Sequence, residues 1–69
     1  MTQHAIQLNG EPKSLAPDTS ALELIEQLGL GGRRIAVEIN EEIVPRSRLA
    51  DTRLAHDDKV EIVHAIGGG

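Results

Sequence analysis

The last three residues of the chain, Gly67, Gly68 and Gly69, are the part of the sequence best suited to chemistry. Glycine makes up about 7% of residues in proteins, so three in succession at a chain end arise by chance only roughly a few times in ten thousand. An enzyme that acts on the terminal carboxylate must thread the last residues through a narrow slot, and residues without Cβ permit the closest approach. We therefore predict a flexible tail over residues 67–69 with a reactive end at Gly69.

A carboxylate is a poor electrophile, so substitution at its carbon first requires a good leaving group, such as the AMP of an acyl adenylate. A sulfur nucleophile could then displace AMP. The chain has no cysteine, so it has no thiol that could hold sulfur as a persulfide, and the thioether of Met1 is chemically unsuited. If the chain carries sulfur, a thiocarboxylate at Gly69 is the suitable place. Two simpler explanations of the glycines stay open: they could form a flexible chain end without function, or they could be a cloning remnant.

Length and composition argue against several other classes of protein. A chain of 69 residues holds one domain and leaves little room for an enclosed active site. The net charge of −4 repels phosphate backbones, and the absence of Phe, Trp and Tyr removes any aromatic platform for bases, so nucleic acid is not an expected partner. No apolar run approaches the roughly 20 residues that cross a bilayer. We expect a cytoplasmic protein with no membrane partner.

Candidate metal ligands and catalytic groups are scattered. His4 and His56 have no neighbour at metal-ligand spacing, and His64 is interpreted as an ordinary strand histidine. No nucleophile and base occur with a supporting motif. We therefore predict no metal site, no cofactor bound by this chain and no catalytic residue, so the chain is not expected to be an enzyme.

Two arginine-rich segments are separated in sequence, Arg33-Arg34 and Arg46-Ser47-Arg48. They could form an anion site if the fold brings them together. Without aromatic neighbours, solvated loop charge is the simpler interpretation. Their separation leaves the choice open.

The elements that must position the tail begin with a hairpin. His4 to Leu8 has the period-two pattern of a half-buried strand. Asn9-Gly10 is the favoured pair for a two-residue type I′ turn, so Glu11 to Leu15 should return antiparallel. Pro12 lacks an N–H donor, which predicts that the returning strand lies at a sheet edge.

A helix follows the hairpin. Ser20 and Glu23 have the spacing of a capping box, with Thr19 as an alternative cap. Gly29 is placed to end the helix in the left-handed conformation, with Leu30 folding back in a Schellman arrangement. The apolar stripe at helical spacing consists of Ala21, Leu24, Ile25 and Leu28.

The second half of the chain returns to strand patterns. Its predicted segments are a strand Ile35 to Ile39, a polar turn Asn40 to Glu42, a short strand Ile43-Val44, an irregular connection Leu49 to Leu54 with one helical turn, a turn His56 to Asp58 and a last strand from Lys59 into the tail. Leu49 and Leu54 should anchor the connection to the core. This order needs the single helix to cover one face of a mixed sheet. We predict an α+β fold of the β-grasp, ubiquitin-like type with four to five strands, a domain over residues 1–66 and the tail 67–69.

The sheet has a second face if the larger aliphatic residues point to the core. We predict that this mixed apolar and acidic face docks the activating enzyme, because it adjoins the strand that leads to the tail. Its residues are Ala36, Glu38, Glu61, Val63 and Ala65.

At this point the sequence resembles the ThiS family, the ubiquitin-like sulfur carriers of thiamine biosynthesis. The likeness spans nearly the whole chain, and its most specific blocks are Val44-Pro45-Arg46 and Val60 to Val63 leading through Ala65-Ile66 to the terminal glycines. Further likeness lies in Ile6 to Glu11, Leu28-Gly29-Leu30 and Ile35 to Asn40. One departure is that many members carry an aromatic residue near the position of Leu49, which should alter packing and leave the tail chemistry intact.

The resemblance implies a reaction sequence and a set of partners. A ThiF-type adenylyltransferase, using ATP and Mg, would adenylate Gly69, and a cysteine desulfurase would supply the sulfur as a persulfide. The thiocarboxylate would then be delivered to a thiazole synthase, and the carrier would be a monomer when free. A terminal diglycine is shared with ubiquitin and with the small subunit of molybdopterin synthase. A sulfur carrier for molybdopterin and a protein modifier of lysines therefore stay open as alternatives.

Overall fold

The computed structural model describes residues 3–64. In this range five strands form one sheet in the order β2-β1-β5-β3-β4. β1 and β5 run parallel, and the other neighbouring pairs are antiparallel. The predicted mixed sheet with one α-helix is confirmed. The elements are β1 His4–Leu8, β2 Glu11–Leu15, α1 Ala21–Gln27, β3 Ile35–Ile39, β4 Glu42–Val44, a 3₁₀ helix Arg46–Asp51 and β5 Lys59–His64.

The first hairpin has the predicted turn. Asn9 and Gly10 have φ of 51° and 86°, the positive values that a type I′ turn requires at both positions. Leu8 and Glu11 face each other across it. β2 lies at the edge of the sheet, where Pro12 needs no ladder partner for its nitrogen.

The second hairpin is tighter than predicted. Asn40 and Glu41 both have positive φ, 52° and 71°, so they form a two-residue turn in which Ile39 pairs with Glu42. The predicted turn of Asn40 to Glu42 is therefore one residue too long, and β4 begins at Glu42 instead of Ile43. The sequence contains no glycine here to indicate the turn type, because Glu41 adopts a conformation that glycine usually occupies.

The helix has the predicted caps at both ends. The Ser20 side chain accepts a hydrogen bond from the Glu23 N–H at 3.0 Å, and the Glu23 carboxylate accepts one from the Ser20 N–H at 2.8 Å. At the other end Gly29 has φ of 74°, the Leu30 N–H donates to the Ile25 carbonyl and the Gly29 N–H donates to the Glu26 carbonyl. These two bonds are the Schellman pattern. Thr19 is not the cap.

The core between the helix and the sheet is entirely aliphatic. Ile6, Leu24 and Val60 are the largest fully buried side chains. Val37, Val60 and Ile62 are buried, so the larger aliphatic residues of β3 and β5 point to the core, which is the condition on which the outer face was predicted. The buried hydrophobic residues among residues 3–64 are Ile6, Leu15, Ala21, Leu24, Ile25, Val37, Leu49, Leu54, Val60 and Ile62.

The connection between β4 and β5 contains more helix than predicted. A six-residue 3₁₀ helix begins at Arg46, directly after Pro45, and ends at Asp51. Leu49 and Leu54 are buried and anchor the connection, as predicted. Leu49 also borders a cavity of about 50 Å³ whose other walls are mainly aliphatic, among them Leu22, Ile35 and Val44.

Replacing Ser20 with Ala tests the N-terminal cap. The substitution should lower the free energy of unfolding by about 1 kcal/mol, the usual effect of losing such a cap, in urea denaturation. It should also raise the pKa of Glu23. The hydrogen bond from the Ser20 backbone N–H, followed by the Ser20 side chain and the charge of Arg53, holds that pKa below 4.5, and the variant removes the side-chain contribution.

The pH dependence has a defined sign. Because the Glu23 pKa is lower in the folded state than in the unfolded chain, its stabilisation is present above the unfolded pKa and is lost as pH falls through the folded value. NMR titration of the Glu23 carboxyl carbon measures the shift, and Ser14→Ala, at an exposed position of β2, serves as control. An unchanged Glu23 pKa together with unchanged stability in Ser20→Ala would contradict the capping assignment.

Candidate functional site

The strand that leads to the chain end is the middle strand of the sheet. β5 lies between β1 and β3, and its last residue, His64, faces Ile35 at the start of β3. We call this the exit end of the sheet. The predicted reactive residue Gly69, the threading residues Gly67 and Gly68, the docking residue Ala65 and the boundary between residues 66 and 67 all lie outside the described residues.

Contacts on both sides fix the course of β5. β3 pairs with it along five positions, from Ile39 opposite Val60 to Ile35 opposite His64. β1 pairs with β5 at only two positions, Gln7 with Lys59 and Leu8 with Val60, because the chain turns away from β5 at Asn9.

Asn9 continues this side of the ladder with its side chain. Its backbone N–H donates to the Val60 carbonyl at 2.9 Å, and its Oδ1 accepts the Ile62 N–H at 2.8 Å. Ile62 is two residues before His64, so this bond holds the strand close to the exit end. The sequence predicted the turn at Asn9 but not this contact, because its partner is 53 positions away.

The other end of β5 is held by Asn40 and Asp58. Asn40 Oδ1 accepts the Lys59 N–H at 3.0 Å, and Asn40 Nδ2 donates to Asp58 Oδ1 at 3.0 Å. Asp58 Oδ2 accepts the Ala55 N–H at 2.8 Å. The Asp57-Asp58 pair therefore serves the predicted turn, with Asp57 at a φ of 71°.

The outer face of the sheet brings together the four described residues of the predicted docking surface. Ala36 is opposite Val63, and Glu38 is opposite Glu61. Val63 is 55% exposed, which is unusual for a large aliphatic side chain. The two glutamates are half-buried and directly opposed, and like charges in that position destabilise a sheet.

Ile43 belongs to the same face and was not assigned to it from the sequence. It is opposite Glu38 and is 71% exposed, the most exposed large aliphatic side chain among residues 3–64. Strand alternation would have assigned Ile43 to the outer face, because the neighbouring Val44 packs against the core. We refer to Ala36, Glu38, Ile43, Glu61 and Val63 as the outer-face residues.

The two arginine-rich segments come together in part. Arg46 Nη2 donates to the Arg33 carbonyl at 2.8 Å, so the start of the 3₁₀ helix is bonded to the loop before β3. Arg48 instead borders an open groove beside β4, together with Ile43 and Pro45.

The histidines lie apart from the exit end, except for His64. His56 Nδ1 accepts the Ala5 N–H at 3.1 Å, and its ring lies 6.2 Å from that of His4. Among residues 3–64, no three His, Cys, Asp or Glu side chains are grouped so that they could hold a metal ion. Within the same range, no helix is long and apolar enough to cross a membrane.

These features define a class of protein before any comparison is made. A mixed five-stranded sheet with one helix, whose middle strand leads to the chain end, is the ubiquitin-like β-grasp arrangement. The outer face of this sheet exposes the apolar side chains of Ile43 and Val63. Residues 6–69 match the model of the ThiS family, and the chain belongs to that family.

Individual relatives agree with this placement. The sulfur carrier protein ThiS of Bacillus subtilis is 35% identical over 65 residues, which cover 93% of this chain and 98% of that protein. The crystal structure of a thiamine biosynthesis protein, ThiS of Geobacter metallireducens, superposes with a TM-score of 0.82 at 28% identity and covers 94% of this chain and 99% of that one.

A longer relative carries a different name. A thiazole synthase of Paramagnetospirillum magneticum is 42% identical over 62 residues, or 90% of this chain. The matched segment spans only 19% of that protein. A segment similar to this chain therefore occurs within a much longer protein.

Replacing Asn9 with Gly tests how β5 is held near the exit end. Glycine keeps the positive φ of the turn and removes only the side-chain acceptor, so the Ile62 N–H loses its partner. We expect amide hydrogen exchange at Ile62 to accelerate at least tenfold, the factor that corresponds to a loss of about 1.4 kcal/mol.

The amide of Leu30, which is bonded at the helix end, provides an internal reference because its donor and acceptor do not involve Asn9. Equal protection of Ile62 in Asn9→Gly and the parent chain would show that the Asn9 side chain does not hold this strand.

Proposed function

We propose that this chain is a sulfur carrier protein of thiamine biosynthesis, and that the Gly69 carboxylate is converted to a thiocarboxylate. The observation that carries the proposal is the family match, which extends through the three terminal glycines to residue 69. That extent argues that the glycines belong to the natural protein and are not a cloning remnant. It also favours the thiamine carrier over the two alternatives, a molybdopterin carrier and a protein modifier.

The chemistry has two steps at one carbon. A carboxylate oxygen of Gly69 attacks the α-phosphorus of ATP, pyrophosphate leaves and an acyl adenylate forms. A persulfide sulfur then attacks the acyl carbon and displaces AMP, which gives an acyl disulfide. A second thiol reduces that disulfide and releases the thiocarboxylate. Because the chain has no cysteine, both the persulfide and the reducing thiol must come from outside this chain.

The proposed partners follow from these steps. A ThiF-type adenylyltransferase supplies the adenylation with ATP and Mg, a cysteine desulfurase supplies the persulfide, and a thiazole synthase receives the sulfur. The match to a segment of a longer thiazole synthase supports the last partner, since proteins that act in succession gain from being in one chain. The carrier itself contributes the acyl group and the recognition surface.

We further propose that the outer-face residues, with Ala65, dock the adenylyltransferase. Ile43 and Val63 expose apolar surface that a partner can bury. Glu38 and Glu61 repel each other in the free chain, and a basic group of the partner placed between them would relieve that repulsion. An apolar contact around a charged centre gives both affinity and register.

Sulfur transfer to Gly69 is tested by mass spectrometry. The chain is incubated with its cognate adenylyltransferase, ATP, a cysteine desulfurase, cysteine and a thiol reductant. We expect one oxygen to be exchanged for sulfur, localised by fragmentation to peptides containing Gly69. Removal of Gly68-Gly69 should abolish the exchange and leave the circular dichroism spectrum unchanged.

Localisation matters because oxidation of Met1 adds nearly the same mass as the exchange. Incubation without ATP is the chemical control. A truncated chain that still gained sulfur, or a mass increase confined to fragments containing Met1, would refute the assignment of Gly69. An isopeptide-linked product in place of the thiocarboxylate would favour the protein modifier.

The docking surface is tested by Glu61→Lys combined with Val63→Asp. Glu61→Lys places a positive charge opposite Glu38, so this pair should no longer destabilise the folded state. The contact with the partner should be lost. We expect kcat/KM for adenylation to fall at least tenfold, equivalent to about 1.4 kcal/mol.

Ser14→Lys is the matched control, because it makes the same net change of one positive charge at an exposed position of β2, two strands away from β5. It should leave kcat/KM within about twofold, a change below 0.5 kcal/mol, as expected of an uninvolved surface position. An unchanged rate for the folded double variant would remove this face from the docking proposal.

A further inference from the structure

Three arginines lie at the exit end of the sheet. Arg34 directly precedes Ile35, the residue that faces His64 where the described part of β5 ends. Arg33 comes just before it, and Arg46 joins them through its 2.8 Å hydrogen bond to the Arg33 carbonyl. We refer to Arg33, Arg34 and Arg46 as the exit arginines.

The exit arginines stand out against the charge of the chain. The protein has 11 acidic and seven basic residues, and three of the seven are gathered here. Two of the other four basic residues lie beside carboxylates: Arg53 is 4.0 Å from Glu23, and Lys59 is 3.8 Å from Glu41. Arg33 and Arg46 form no ion pair with any residue between 3 and 64. An acidic chain therefore presents a basic end where its middle strand leads outward.

The surroundings of these arginines fit a protein surface better than a small anion. The adjoining cavity, which Arg46 borders, is about 50 Å³ and mainly apolar. Small-molecule sites usually enclose roughly 300–1,000 Å³, so this cavity is too small to enclose a phosphate-bearing ligand. Arg33 and Arg46 are exposed, and a guanidinium fork pairs well with a carboxylate on an opposing surface.

We propose that the exit arginines bind a carboxylate-rich protein surface at the rim of the slot that receives the chain end. The inference rests on the proposed function, because it assumes that the chain end enters an adenylyltransferase. The contact is separate from the outer-face residues, whose charged members are acidic and call for a basic partner group. Opposite charges at two neighbouring places on the carrier permit one orientation on the partner and disfavour the reverse.

Arg33 provides the cleanest variant. Arg46 is bonded to the backbone carbonyl of Arg33 and not to its side chain, so Arg33→Glu keeps that bond and reverses one charge. Lys13→Glu is the control with the same change in net charge. Lys13 is on β2, three strands and about 14 Å across the sheet from β3. It is opposite Ile6, at the end of the sheet where β5 begins, so the length of β5, about 20 Å, separates it further from the exit end. The total exceeds the Debye length, which is about 10 Å at 0.1 M salt.

The experiment measures association of the full chain with its cognate adenylyltransferase by stopped flow, from about 0.05 to 0.5 M NaCl. For the parent chain we expect the association rate constant to fall steeply with salt, at least tenfold over that range. At the lowest salt Arg33→Glu should associate at least fivefold more slowly, and Lys13→Glu within about twofold. At the highest salt all three chains should converge.

The outcomes separate this inference from the proposed function. If the parent chain gains sulfur at Gly69 but Arg33→Glu associates as fast as the parent, or if the parent rate is insensitive to salt, only the role of the exit arginines is overturned. If the parent chain gains no sulfur, the proposed function fails and the inference fails with it. Saturable binding of sodium pyrophosphate, seen as NMR shifts of the Arg33 and Arg34 amides that Arg33→Glu abolishes, would instead identify a small-anion site and overturn the protein contact.

Discussion

The position of β5 in the middle of the sheet is the constraint on which the rest of the structure depends. An edge strand can fray without disturbing its neighbours, whereas a middle strand is bonded on both sides. β5 is paired to β3 along its length, while β1 and the Asn9 side chain complete the other side as far as Ile62. Val60 and Ile62 on its inner face are both part of the core. His64, the last described residue, therefore ends a strand that is bonded to neighbours on both sides.

This arrangement is achieved without aromatic residues, disulfides or a metal-binding group among residues 3–64. A domain of this size has little core to spare, so local backbone devices carry a larger share of the stability. Two-residue turns at Asn9-Gly10 and Asn40-Glu41, the capping box of Ser20 and the Schellman end at Gly29 each satisfy backbone groups that would otherwise be open.

The features that could be predicted from the sequence are those with short-range signals. Asn9-Gly10 predicts its turn, and Ser20 with Glu23 predicts the cap. Strand alternation separates the two faces of β3 and β5, but the structure was needed to show which face is buried. The turn at Asn40 was misjudged by one residue because Glu41 carries no mark of its left-handed conformation. Contacts between distant residues gave no local signal at all. Neither the Asn9 bond to Ile62 nor the Arg46 bond to Arg33 follows from residue types, because both depend on which strands become neighbours.

The distribution of charge at the exit end connects the fold to recognition. Within the described residues, Glu38 and Glu61 face each other on the outer side of the sheet, while Arg33 and Arg46 meet at its end. The opposed glutamates repel each other, and the guanidinium charges of these two arginines have no carboxylate partner among residues 3–64. Groups that are unfavourable or unpaired in isolation gain most when a complementary surface arrives. A chain that contributes only an acyl group to the proposed chemistry would rely on such surface features to select its partners, and their place beside the end of β5 would align the docked carrier with the slot that its glycines must enter.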